Sequence, residues 1–112
     1  KEQTDSRFCQ FVSMKYGWRA ALITLRSYIT GLNGKRQPRD TIEKIITRWA
    51  QPSENDTENY IKCVSAAVGI DRRMKVKWQD RVFVCAICKA MAYQECGKLF
   101  QIEDIYSVYD IL

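Results

Sequence analysis

Apolar and polar positions change period several times along the chain, and each change marks an element. Between Arg7 and Val12, Phe8, Gln10 and Val12 alternate with Cys9 and Phe11, the period of a short extended segment. From Tyr16 the spacing becomes three and four. Trp18, Ala21, Leu22, Leu25 and Ile29 fall on one stripe, which predicts an amphipathic helix over Tyr16–Ile29 that Gly31, Asn33 and Gly34 stop. Asp40 followed by Glu43 predicts a cap that launches a second helix through Ile42, Ile45, Ile46 and Trp49. Pro52 prevents its continuation, and 53–57 supply a polar loop and the next cap. Tyr60, Ile61, Val64 and Val68 predict a third helix ending at Gly69. Lys75–Trp78 alternates again and suits an extended piece. Asp80 is placed to cap a long helix to Glu95, ended by Gly97, and Ile102, Ile105, Tyr106 and Tyr109 predict a last short one. The expected fold is mostly α: a single five-helix domain with one or two short strands.

At 112 residues the chain is one domain. A chain of that size buries roughly two thirds of its unfolded surface, enough for one core without metals. It has no histidine, which excludes Ser-His-Asp and Cys-His nucleophile systems and imidazole acid–base chemistry. Any catalysis must use carboxylates, Tyr, Lys or Cys. The net charge of +5 favours polyanions without choosing among them. Its basic residues gather in two groups, Lys35, Arg36 and Arg39, then Arg72, Arg73, Lys75, Lys77 and Arg81, and each reads as solvated loop surface. No apolar stretch is long enough to span a bilayer. Neither a nucleic-acid nor a membrane partner is expected. The five cysteines form an odd set without the spacing of a secreted scaffold, and a mostly reduced chain is the simpler reading. Cys85 and Cys88, three apart in an apolar run, read as a buried stripe rather than a redox or zinc pair. Neither a metal nor a cofactor is expected, and no glycine loop cradles phosphate.

Two acidic places stand apart from ordinary surface charge. Glu95 ends the long apolar helix just before Cys96 and Gly97. A carboxyl at the edge of an apolar cleft is desolvated and keeps its proton, which suits a general acid. A solvated helix end is the competing reading, though the helix dipole disfavours a carboxylate there. The second place is Glu54, Asn55, Asp56 and Thr57, which follow Trp49. Helix capping explains Asp56 and Thr57. A glycan cleft also uses amides and carboxylates for hydroxyls and aromatic faces for the sugar ring, for which Trp18, Trp49, Trp78, Tyr60 and Tyr93 are candidates; aromatics at helical spacing are more often core.

Three runs carry a family resemblance that covers almost the whole chain. The first is Phe11, Tyr16-Gly17-Trp18-Arg19-Ala20-Ala21, Leu25 and Tyr28. The second, its most specific part, is Arg48-Trp49-Ala50-x-Pro52-x-Glu54-Asn55-Asp56-Thr57 with Tyr60 and Ile61. The third is Ala90, Glu95 and Gly97. The chain resembles small phage and prophage virion structural proteins of gut Bacteroidetes. These normally begin with an Asn-rich segment that this chain lacks, in keeping with the unnatural start at Lys1. That segment is similar to one in the flagellar-type glucosaminidases of the lysozyme superfamily.

The resemblance implies a lysozyme-like domain over 1–112, its elements circularly permuted, with Glu95 in the position of the catalytic acid. Permutation is physically reasonable where termini lie close. The implied activity is that of a peptidoglycan glycosidase or lytic transglycosylase, which cleaves or binds the glycan strand. Glu95 would protonate the leaving oxygen. Trp49, Glu54, Asn55, Asp56, Thr57 and Tyr60 would bind substrate, with Glu54 and Asp56 as candidate second carboxylates. The implied partners are the glycan strand and other virion proteins, and the implied location is the virion or the cell envelope. The alternative is a non-catalytic virion structural or interaction protein that keeps the scaffold.

Overall fold

A computed structural model describes Cys9, residues 16–50 and residues 56–112. Within them five helices follow one another: α1 Tyr16–Gly34, α2 Ile42–Trp49, α3 Thr57–Val68, α4 Arg81–Cys96 and α5 Ile102–Tyr109. No strand occurs among the described residues. The two expected extended pieces fare differently. Arg7–Val12 lies, Cys9 apart, outside the described residues. Lys75–Trp78 is irregular loop, because its one ladder-like bond, from Val76 N–H to the Asp40 carbonyl at 2.8 Å, leads to a loop and not to a strand.

The centre is α4. Its run Val82–Ala92 holds one charged residue, Lys89, so the helix is apolar on nearly every side, the pattern of a helix surrounded by others. Val84, Cys85, Ile87, Cys88, Ala90, Met91 and Ala92 are all buried on it. It packs against α1, α3 and α5, while α2 packs on α3 and α1. Leu22 and Leu25 of α1, Ile42, Ile45 and Ile46 of α2, Val64 of α3 and Ile105 of α5 complete the core. Truncating one of these to Ala costs about 2–5 kcal/mol. Burial pushes the Cys85 thiol up to about 11 and the Cys88 thiol further up. Neither is therefore a thiolate near neutrality, which fits packing better than redox or metal chemistry.

Cap chemistry sets the ends, with two corrections. The regular part of α1 stops at Thr30, because Gly31, Leu32 and Asn33 are left-handed (φ 65°, 53° and 58°). A Cβ on Gly31 would lie 2.2 Å from the Arg36 carbonyl oxygen, so only glycine fits. The cap of α2 is Thr41, one residue beyond the expected Asp40; its hydroxyl accepts the Lys44 N–H at 3.1 Å. Asp56 caps α3 as expected, accepting the Asn59 N–H at 3.1 Å. Asp80 stands at the N-cap of α4 but its carboxylate accepts from Lys77 N–H at 2.9 Å, closing the preceding turn. Gly69 and Gly97 close α3 and α4 in left-handed conformation, as the sequence predicts.

The cysteine expectation also needs correction. Cys9 and Cys96 form a disulfide across a sequence separation of 87. Cys63, Cys85 and Cys88 are free thiols. Spacing gave no hint of the bridge, since its two ends come from opposite ends of the chain.

Candidate functional site

Three helix ends meet around Glu95. Trp49 is the last residue of α2, Tyr60 sits in the first turn of α3, and Glu95 lies in the last turn of α4. The Trp49 indole N–H donates to Glu95 Oε2 at 3.1 Å, and the Tyr60 hydroxyl donates to the same oxygen at 3.0 Å. Tyr60 also lies 3.5 Å from the Met91 carbonyl, a longer second acceptor. Burial, then the Glu95 charge, pushes the Tyr60 phenol well above its ordinary range, so it remains an O–H donor. The helix dipole opposes a carboxylate at this end of α4, and the two donors offset it.

The sequence-predicted site residues are thus brought together in part. Trp49, Tyr60 and Glu95 touch. Thr57 is adjacent, its hydroxyl donating to the Ala50 carbonyl at 3.4 Å and so tying the end of α2 to the start of α3. Asp56 is an exposed cap. Glu54 and Asn55 lie outside the described residues. The other aromatics go elsewhere. Trp18 is buried and meets Phe100 edge-on at 5.2 Å. Trp78 stacks at a tilt on Tyr109 at 4.8 Å, with the Arg26 guanidinium on it at 5.5 Å. Tyr93 is exposed, two residues and about 200° around α4 from Glu95.

Tyr93 lines a different cavity, of about 470 Å³, between α3, α4 and α5. Its floor is Cys63, Ala67, Ala86 and Ala90, its walls include Val82, Leu99 and Tyr106, and Glu95 does not border it. Among the described residues no carboxylate lines that groove, so it offers no pair of carboxylates. Among the described residues no cluster of His, Cys, Asp or Glu is arranged to hold a metal ion.

The sequence also gave no sign of a charged clamp. Arg72 donates to Glu43 at 2.9 Å and to both carboxylate oxygens of Glu58, and Arg73 reaches Glu43 at 3.4 Å. This joins the loop after α3 to α2 and α3. Its partners are 14 and 29 residues apart, beyond any local pattern.

The chain is similar to Protein P5 of Pseudoalteromonas phage PM2, 38% identical over 93 residues that make up 83% of this chain and 53% of that protein. It is a homologue of a phage protein. It spans about half the length of that phage relative. No protein-family model matches the chain, and no solved structure matches it. The expected phage origin is therefore supported, while the lysozyme-like architecture and the Bacteroidetes source are not. No described helix is long and apolar enough to cross a membrane.

Proposed function

We propose that this chain is a non-catalytic, virion-associated structural or interaction domain of a phage. The observation that carries this reading is the bonding of Glu95. Both donors within reach, one from α2 and one from α3, take the same oxygen, so the carboxylate acts as a brace between three helix ends. In this role the Oε2 oxygen accepts two bonds from the protein itself, whereas a general acid must present its proton to a substrate oxygen. Similarity to a phage protein over most of the chain supports the virion context.

Mass spectrometry of purified particles from a producing culture tests the reading: the chain should be present at a fixed ratio to the major coat protein. Its absence from particles overturns it. A second reading, a peptidoglycan glycosidase or lytic transglycosylase with Glu95 as acid, is favoured by one observation, that Trp49, Tyr60 and Glu95 meet as the resemblance implies. Muropeptide release from purified sacculi separates the two. The structural reading predicts no release by the wild type; release that Glu95→Gln abolishes establishes the enzyme.

A further inference from the structure

The two basic groups of the sequence, some thirty residues apart, approach each other in part, while Arg81 turns away to pair with Asp110 and Arg72 is taken by Glu43 and Glu58. The fold lays the loop 71–77 along the start of α2: Glu43 N–H donates to the Arg72 carbonyl at 3.1 Å, and Val76 N–H to that of Asp40 at 2.8 Å. The loop that carries Arg73, Lys75 and Lys77 thereby runs beside the start of α2, the helix that carries Lys44 and Arg48. A cleft of about 570 Å³ opens among Gln37, Arg39, Lys44, Thr47 and Arg48, and Glu43 lines it with them.

The carboxylates on this face are already engaged. Glu43 takes Arg72 and Arg73, and Asp40 lies 3.9 Å from Lys44. Lys35, Arg36, Arg39 and Arg48 pair with no carboxylate among the described residues. Of the cleft's own cations Arg39 and Arg48 are the uncompensated ones among the described residues, and such guanidinium groups beside a concavity are a device for phosphate oxygens, which arginine grips with its planar fork.

We propose that this face binds the phosphate backbone of duplex nucleic acid without reading its sequence. It departs from the expectation of no nucleic-acid partner, and it stands independently of the structural role argued above. Two features select the partner. A membrane-binding face adds large apolar side chains to its cations, and among the described residues this cleft is lined by polar and charged groups with Pro38 as the one apolar exception. Single strands are held on aromatic platforms, and among the described residues no aromatic lines the cleft.

Fluorescence anisotropy of a labelled random-sequence duplex, titrated with the full chain at several salt concentrations, provides the test. Four or five phosphate contacts give a slope of log affinity against log salt of about −4. The triple variant R39Q/K44Q/R48Q should lower the magnitude of that slope by about 2 to 3 and weaken binding at low salt roughly tenfold or more. A charge-matched control, R19Q/K62Q/K98Q, which changes no residue of the cleft, should stay within about twofold of the wild type at 0.15 M salt, where the Debye length is about 8 Å. The single changes K44Q and R48Q, which spare the fold, should each lower the slope by about one. Undetectable or salt-insensitive binding overturns the proposal, as do equal losses in the two triple variants. Tighter binding to vesicles of anionic phospholipid than to the duplex at equal salt overturns it too, assigning the face to a membrane.

Discussion

Replacing Glu95 by Ala removes the acceptor shared by Trp49 and Tyr60 and leaves two donors to find other partners. Tyr60 is 7% exposed, so its hydroxyl cannot turn to water, and it falls back on the Met91 carbonyl at 3.5 Å. Trp49 is half-buried and regains some hydration. A hydrogen bond to a charged group is worth about 1.5–3 kcal/mol, and partial exposure of Glu95 reduces each of these to about 1–1.5 kcal/mol. Glu95→Ala should therefore cost about 2–3 kcal/mol and Tyr60→Phe about 1 kcal/mol. The double variant should cost less than the two together, by about 1 kcal/mol, because removing both partners leaves no unpaired phenol. Glu95→Gln, whose amide oxygen still accepts, should cost under about 1 kcal/mol. Urea denaturation followed by far-ultraviolet circular dichroism measures all four, with an unchanged slope in denaturant as the sign that only stability moved. A coupling under about 0.5 kcal/mol between Tyr60→Phe and Glu95→Ala lies within ordinary additivity and would refute the brace.

Gly31→Ala forces a side chain into a left-handed residue and against the Arg36 carbonyl 2.2 Å away; a loss of about 2–4 kcal/mol in thermal unfolding is expected, and one under about 1 kcal/mol would mean that the turn relaxes freely. The pair C9S/C96S opens a cross-link that spans 87 residues, so the loop-entropy relation gives a loss of up to about 4–5 kcal/mol. Thiol titration of the unfolded, unreduced chain should count three reactive groups; five would show that the bridge does not form. The Arg72 and Arg81 guanidinium groups hold the Glu58 and Asp110 carboxyls below their ordinary values of 4.5 and 3.8. The folded chain thus binds fewer protons than the unfolded one in acid, and these groups contribute stability above those values that is lost as the pH falls through the depressed folded ones. Asp110→Asn should flatten the acid limb of a urea midpoint against pH, and an unchanged limb would show that its ion pair with Arg81 is inert.

What the sequence revealed and what it hid divide by the range of the interactions. The five helices were legible because periods of three and four residues and left-handed glycine stops are local, as at Gly69 and Gly97. The cap of α2 was misplaced by one residue because Asp40 and Thr41 are both good caps, and burial of Thr41 beneath the loop 71–77 decides between them. The Lys75–Trp78 alternation looked extended, yet one backbone bond to a loop cannot make a ladder. The Cys9–Cys96 bridge, the Arg72 clamp and the partial approach of the two basic groups all join residues far apart in the chain, and no period records such pairs.

Glu95 is the instructive intermediate. Its place at the end of an apolar helix was visible; the two donors to its carboxylate, set where the helix dipole supplies repulsion, were not. Whether such a residue braces or reacts depends on what stands opposite it, which lies on α2 and α3. Its neighbour sharpens the point. Cys96 ties the same turn of α4 covalently to Cys9, so the last two residues of this helix link it to three other segments. A helix end fixed this way resists displacement, which is the property that the proposed structural role would need. Stability and glycan cleavage of Glu95→Gln then separate the two roles: the brace predicts a small loss of stability and no change in activity, and the acid predicts the reverse.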